Sequence, residues 1–253
     1  MVNEAVMTFT NTRESGTLAL SKVLKGNATD GEKEFTFRVK LENAQFDTAT
    51  QRDAYDVVIR EANKADVQTT VARDANGEYV LTLKGGQTAT LLDVLYGTTA
   101  TVAEDDYTAE GYEAVSGQTA AVNDQTPDAA AAFTNERYIG SIEITKALAG
   151  TGSDKGYGKT FTFDVKLWNE HDLDLLNAQT STMPSGVDGL TKTNEQRDGH
   201  DVYAGTVSIT MGADGQPVSA SITNIPAHTS YEIVERDCTD DGYTTQTPQN
   251  ASG

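Results

Sequence analysis

Apolar and polar residues alternate with a period of two over most of the chain. In residues 17–24, Leu18, Leu20, Lys22 and Leu24 share one face, while Thr17, Ala19, Ser21 and Val23 share the other. Phe35, Phe37, Val39 and Leu41 make a second apolar face, Tyr79, Leu81 and Leu83 a third, and Thr98, Ala100, Val102 and Glu104 a fourth. Farther along, Ile142, Ile144, Lys146 and Leu148 repeat the first pattern, and Phe161, Phe163, Val165 and Leu167 repeat the second. Val207 and Ile209 follow, then Tyr231, Ile233 and Glu235. Successive side chains of a strand point to opposite faces, so this rhythm predicts half-buried antiparallel strands separated by turns such as Asn76-Gly77 and Lys84-Gly85-Gly86. Helical spacing extends to a turn or two only at residues 91–95. Residues 47–56 and 173–201 are polar and lose the rhythm, and are expected to form long surface loops or a hairpin excursion. The pattern is that of β-sandwiches.

The pattern also occurs twice. Residues 8–26 read TFTNTRESGTLALSKVLKG and residues 132–150 read AFTNERYIGSIEITKALAG. Phe9, Asn11, Arg13, Lys22 and Gly26 answer Phe133, Asn135, Arg137, Lys146 and Gly150 at one constant offset. EFTFRVKL at 34–41 answers TFTFDVKL at 160–167, Glu104 answers Glu235, and Gly111-Tyr112 answers Gly242-Tyr243. A long fixed period marks a modular array, and a unit of roughly 115–130 residues is the size of a whole domain. The Phe-Thr-Asn motif closes the first unit and does not recur after the second. The expected division is therefore residues 1–13 as the last strand of a preceding truncated unit, 14–137 as a complete sandwich, and 138–253 as a second sandwich without its last strand. Asn250 lacks the Phe-Thr that precedes Asn135 and is a poor substitute for it.

Three polar residues fall on apolar faces. Lys22 shares a face with Leu18 and Leu20, Glu104 shares one with Val102, and Asn135 shares one with Phe133. An isolated buried charge is too costly for a domain to carry, so these charges must be paired, neutralised or removed by chemistry. The residues alone leave two readings open. One is a buried Lys–Glu ion pair with the asparagine hydrogen-bonded beside it. The other is a covalent reaction between them.

The segments GTLALSKVLKG, EFTFRVKL, GGQTATLLDVLYGTTATVAE, EGY and FTNER resemble the isopeptide-forming domains of Gram-positive surface proteins. These are the collagen-adhesin B-type (Cna B-like) domains and especially the streptococcal pilin isopeptide-linkage domains. The resemblance spans nearly the whole chain in two copies. It implies an all-β fold of two tandem immunoglobulin-like β-sandwiches, and a covalent bond between a first-strand lysine, Lys22, and a last-strand asparagine, Asn135. Glu104 is the acid that promotes the bond, and Glu235 is its equivalent in the second unit. Lys146 is left as an unpaired lysine there, and Asn11 as a donor for another molecule. An aromatic residue such as Tyr231 normally precedes the acid strand's inner apolar residue by two; Ala100 stands there in the first unit, so the pocket around Glu104 is expected to be either looser or filled from elsewhere, with Tyr96 as the candidate.

The implied function is a structural stalk segment of a cell-surface pilus or adhesin, extracellular and anchored to the cell wall, in a fragment without signal or sorting motif. Its partners are neighbouring repeat units of the same protein. The rival is a ligand-binding adhesin module whose long loops grip a host matrix protein or glycan. The bond forms once and consumes its own side chains, so no enzyme and no cofactor are implied.

Composition narrows the field. The 253 residues carry a net charge of −19, which argues against nucleic acid and anionic membranes as partners, since both need a basic surface. No apolar run nears the ~20 residues of a membrane-spanning helix. Cys238 is the only cysteine, so no intrachain disulfide braces either unit. His171, His200 and His228 show no metal-ligand spacing, and no metal site is expected. Asp237, Asp240 and Asp241 read as a solvated acidic run. No GxSxG frame supports a hydrolase. Trp168 is expected to lie against the core, with an exposed stacking role as the alternative.

Overall fold

A computed structural model describes residues 7–46, 52–150, 158–176, 179–180, 188–213, 215–244 and 252–253, with the backbone alone at 179, 180 and 188. The chain forms two compact units. One comprises residues 1–25, 30–106 and 114–135, and the other 26–29, 107–113 and 136–253. Among the described residues the regular structure is strand, apart from two single 3-10 turns.

In the first unit the strands are β1 (Ser15–Lys25), β2 (Phe35–Glu42), β3 (Ala54–Glu61), β4 (Val67–Ala72), β5 (Tyr79–Leu83), β6 (Gln87–Leu95), β7 (Thr98–Glu104), β8 (Gln118–Val122) and β9 (Asp128–Glu136). They form a five-stranded sheet in the order β4-β3-β6-β1-β9 and a four-stranded sheet in the order β5-β2-β7-β8. The alternating apolar faces meet between the sheets. Leu18 and Leu20 of β1 and Phe35, Phe37 and Val39 of β2 are all fully buried. Two ring pairs cross from sheet to sheet at 5.1 Å between centroids, Phe37 with Phe133 and Tyr55 with Tyr79. Strand β1 lies between β6 and β9. It runs antiparallel to β6 and parallel to β9, since Thr17 bonds to Asp128 and Lys22 to Asn135 in rising order.

The helical spacing at residues 91–95 is a strand, β6, with a bulge. Asp93 takes a left-handed φ of 56°, and the pairing with β1 slips between Gly16 and Leu18. The extra residue breaks the two-residue rhythm and puts Val94 on the same face as Leu91, three residues apart, where both are fully buried. That spacing imitates a helix.

The second unit contains β10 (Ile139–Lys146), β11 (Thr160–Asn169), β12 (Gln179–Thr180), β13 (Asp188–Arg197), β14 (His200–Thr210), β15 (Val218–Pro226) and β16 (Thr229–Glu235). Its sheets run β10-β15-β12 and β13-β14-β11-β16. They enclose a core that includes Ile144, Phe161, Phe163, Val165, Leu167, Ile222 and Ile233. The bulge recurs in β15, with Asn224 at φ 59° and a slip between Gly140 and Ile142. Part of the expected loop over 173–201 is the strand β13, paired with β14, so the hairpin alternative describes it. Likewise, the latter part of 47–56 opens β3, while residues 47–51 lie outside the described residues.

The Gly-Tyr repeat closes the acid strands. Gly111 and Gly242 each end a 3-10 turn in the left-handed conformation, at φ 84° and 82°. Glycine adopts this without a Cβ penalty. Tyr112 is fully buried, and Tyr243 meets Phe161 edge-on at 5.3 Å.

Candidate crosslink site

β1 delivers Lys22 to the core because its position shares the parity of Leu18 and Leu20. The residue is 1% exposed. Glu104 reaches it from the end of β7, in the opposite sheet, and Asn135 from the neighbouring strand β9, where it is 2% exposed. Lys22 Nζ donates to Glu104 Oε1 at 2.5 Å and also to Asn135 Oδ1. The lysine and glutamate side chains are 0% and 1% exposed. The ammonium position lies 3.9 Å from the Phe35 ring centroid and 5.7 Å from that of Phe37, and Phe37 in turn packs on Phe133. The aromatic wall therefore comes from β2 and β9. Tyr96 is only half-buried, and Ala100 is buried between Leu41 and Ala120 on the neighbouring strands.

Burial penalises both charges. It lowers the Lys22 pKa below its ordinary 10.5, with Glu104 opposing the shift. It raises that of Glu104 above its ordinary 4.5, with Lys22 opposing. Both shifts favour the neutral partners, an amine and a carboxylic acid, over the ion pair. Glu104 Oε2 is buried without a hydrogen-bond partner, a setting that suits an acid better than a carboxylate. An amine, a carboxamide and a carboxylic acid in contact are the groups needed to exchange one amide for another with loss of ammonia.

The second unit repeats two of the three groups. Lys146 Nζ donates to Glu235 Oε1 at 2.6 Å and lies 4.2 Å from the Phe161 centroid. Here the side chains are 13% and 8% exposed. Among the described residues no asparagine joins them; Asn250 lies outside those residues. Asn11 is exposed, in a segment with no strand.

A family model described as a domain of unknown function (DUF7601) matches residues 16–137 and again 140–253. The chain belongs to that family. Each DUF7601 match takes in one lysine and one acid of the pairs above. Over 107 residues the chain is 33% identical to a pilin of Streptococcus pyogenes serotype M1, a match that takes in 41% of this chain and 30% of that pilin. The chain thus spans under a third of the curated relative's length. Among solved structures, the major pilin of Streptococcus pyogenes aligns at 25% identity over 49% of this chain and 48% of that one, with a TM-score of 0.39. The T-13 major pilin of the same species aligns at 16% identity over 91% and 84%, with a TM-score of 0.37.

Elsewhere in the DUF7601 chain the tryptophan, the cysteine and the acidic run are dispersed, whereas two of the histidines come together. Trp168 is half-buried on the face of β11 opposite Leu167, and the Arg197 guanidinium lies 5.6 Å from its ring. It is covered by an arginine and not by the core, because its parity puts it outside. Cys238 is partly buried against the second core. Asp237 caps the Thr239 N–H and Asp241 pairs with Lys159, so the acidic run disperses. His171 and His228, remote in sequence, stack edge-to-face at 5.1 Å, with Glu170 on His228 Nδ1 at 2.5 Å. Ligand-type atoms of Glu113, His171 and His228 lie within 4.8 Å of one another, a grouping that no sequence spacing announces. No helix among the described residues is long and apolar enough to cross a membrane.

Proposed function

We propose that the chain is a structural, non-enzymatic segment of a Gram-positive surface pilus or adhesin stalk, whose first unit is closed by a self-formed amide between Lys22 and Asn135. The contact of Lys22 Nζ with both Glu104 and Asn135 in a sealed aromatic pocket carries the reading. The pilin relative gives it a cellular setting, the cell surface. The domains are residues 14–137 and 138–253, with 1–13 repeating the end of a unit.

In this mechanism neutral Lys22 Nζ attacks Asn135 Cγ while protonated Glu104 donates to the amide oxygen. Glu104 then relays a proton from the lysine nitrogen to the departing nitrogen. The Cγ–Nδ2 bond breaks, ammonia leaves, and Nζ–Cγ is the new amide bond. Burial holds the groups in contact and keeps the amine uncharged. Lys22 ends as a neutral amide on Asn135 and Glu104 is left as a carboxylic acid, so the pocket no longer has to hold an ion pair.

The closed loop spans 113 residues, for which chain entropy gives a stabilisation of about 4–5 kcal/mol. The bond also ties β1 to β9, so pulling on them loads covalent bonds. This takes the place of a disulfide in a unit that has none. The test is intact mass: the protein should lack one ammonia, and Glu104→Ala should restore the sequence mass. Full mass in the wild type would leave only the ion pair.

A further inference from the structure

One asparagine-centred turn is built twice, with different side chains around it. After β2, Asn43 Nδ2 donates to Tyr96 O at 3.0 Å and Thr98 Oγ1 at 3.1 Å, and Asn43 Oδ1 accepts from the Gln45 N–H. At the end of β11, Asn169 Nδ2 donates to Ala227 O and Thr229 Oγ1, both at 2.8 Å, and Asn169 Oδ1 accepts from the His171 N–H. The scaffold is the same. It presents Ala44, Gln45 and Gly97 in the first unit, and Glu170, His171 and His228 at the matching positions of the second. Gly97 has a left-handed φ of 85°, which glycine adopts without a Cβ penalty. His228 keeps that conformation at φ 61°, an uncommon one for a residue with a side chain.

The exchanged side chains meet. His228 Nε2 lies 2.7 Å from Glu113 Oε1 and its Nδ1 lies 2.5 Å from Glu170 Oε1, so the imidazole sits between two carboxylates. Glu113 precedes β8 in the chain but belongs to the second compact unit, as both histidines do. The His171 ring packs edge-to-face on His228. His171 Nε2 is buried and has no hydrogen-bond partner among the described residues; Glu170 Oε1 lies 3.6 Å from it. One ligand-type atom from each of Glu113, His171 and His228 lies within 4.8 Å of the other two. In a tetrahedral shell with bonds of about 2.0–2.1 Å, ligand atoms stand roughly 3.3 Å apart. Small side-chain rotations span that difference.

We propose that Glu113, His171 and His228 bind a divalent transition-metal ion of the zinc class. Two imidazoles and one carboxylate are donors that suit zinc, whereas magnesium and calcium favour all-oxygen shells. His228 ligates through Nε2. Its Nδ1–H donates to Glu170, which fixes the tautomer and orients the ring, the usual outer-shell arrangement for a metal-bound histidine. His171 Nε2, otherwise a buried nitrogen without a partner, gains one. Glu113 supplies the oxygen and water the fourth position. The side chains of Glu113 and His228 are 42% and 38% exposed, so the ion reaches the site from solvent. The metal clasps three segments remote in sequence, in a chain whose single cysteine allows no intrachain disulfide. The site is independent of the amide proposed between Lys22 and Asn135.

The experiment strips the full 253-residue chain with a chelator, then titrates it with Zn²⁺ in a calorimeter and with Co²⁺ followed by visible absorption, using Mg²⁺ for comparison. The variants His228→Gly, His171→Gln and Glu170→Ala carry the residues that the first unit holds on the same scaffold, so the turn is kept. Glu113→Gln removes the carboxylate ligand, and His200→Gln controls for a histidine outside the site. Wild type should bind one Zn²⁺ per chain, give the absorption of four-coordinate Co²⁺, and ignore Mg²⁺. His228→Gly, His171→Gln and Glu113→Gln should each abolish saturable Zn²⁺ binding. Glu170→Ala should weaken it by about 10–100-fold, and His200→Gln should leave it unchanged. Absence of saturable Zn²⁺ binding in wild type overturns the site. Binding that survives both His171→Gln and His228→Gly, or that is lost in His200→Gln, overturns it as well.

Discussion

Lys22 Nζ and Glu104 Oε1 lie 2.5 Å apart with their side chains 0% and 1% exposed. Lys146 and Glu235 lie at almost the same separation, 2.6 Å, yet keep 13% and 8% exposure. The geometry of the two pairs is equal and their surroundings are not. The third strand, β9, accounts for the difference: it brings Asn135 to the first pair and seals it.

Removing one partner of the first pair should cost more than removing the other. Glu104→Ala leaves Lys22 buried without a counter-charge, a loss of about 3–5 kcal/mol, added to the roughly 4–5 kcal/mol of the absent bond. Lys22→Met also prevents the bond, but it fills the space with an apolar chain and leaves an acid that can stay protonated. Urea unfolding should rank the proteins as wild type, then Lys22→Met, then Glu104→Ala. Equal midpoints for all three would contradict the buried pair as described.

The variant Glu104→Gln should reveal the lysine through pH. Burial holds the Lys22 pKa below its ordinary 10.5, and in this variant the opposing carboxylate is gone. Between the folded and unfolded pKa values the unfolded chain binds more protons, so stability rises with pH. Unfolding free energy should therefore climb between the lowered folded pKa and 10.5, by up to about 1.4 kcal/mol per pH unit. Wild type, in which the proposed bond turns the Lys22 nitrogen into an amide, should lack this rise. A variant profile parallel to that of wild type counts against it.

Amine labelling should separate the two lysines. After unfolding in urea, an acetylating reagent should modify Lys146 and pass over Lys22, because an amide nitrogen is not nucleophilic. In Glu104→Ala both should be labelled. Acetyl-Lys22 from unfolded wild type is the outcome that the account does not allow.

Much of this was legible beforehand. The inward parity of Lys22, Glu104 and Asn135 follows from alternation with Leu20, Val102 and Phe133, and the strands that carry them lie where the pattern puts them. The strand order was harder to read, for physical reasons. β4, Val67–Ala72, is an edge strand with one buried residue, Val71, so it has no apolar face to advertise. β6 was disguised by the bulge at Asp93. β13 is largely polar and is identified by its pairing with β14. The outward face of Trp168 follows from its parity with Lys166, but the size of the ring suggests core. The meeting of His171 and His228 depends on which loops the fold brings together, and local spacing carries no trace of it.

The two units should unfold separately. The proposed amide ties the ends of the first unit and has no counterpart among the described residues of the second, so calorimetry should resolve two transitions, with the upper one assigned to the first unit. Lys22→Ala should bring that transition down, by about 4–5 kcal/mol, toward the lower one. A lower transition that moves while the upper stays would assign the stabilisation to the wrong unit.

The most direct measurement is tandem mass spectrometry of a digest of the wild-type protein. The account predicts one branched peptide in which the β1 segment containing Lys22 and the β9 segment containing Asn135 are joined, with a mass equal to their sum less one ammonia. Recovery of both segments as separate, unmodified peptides would contradict it.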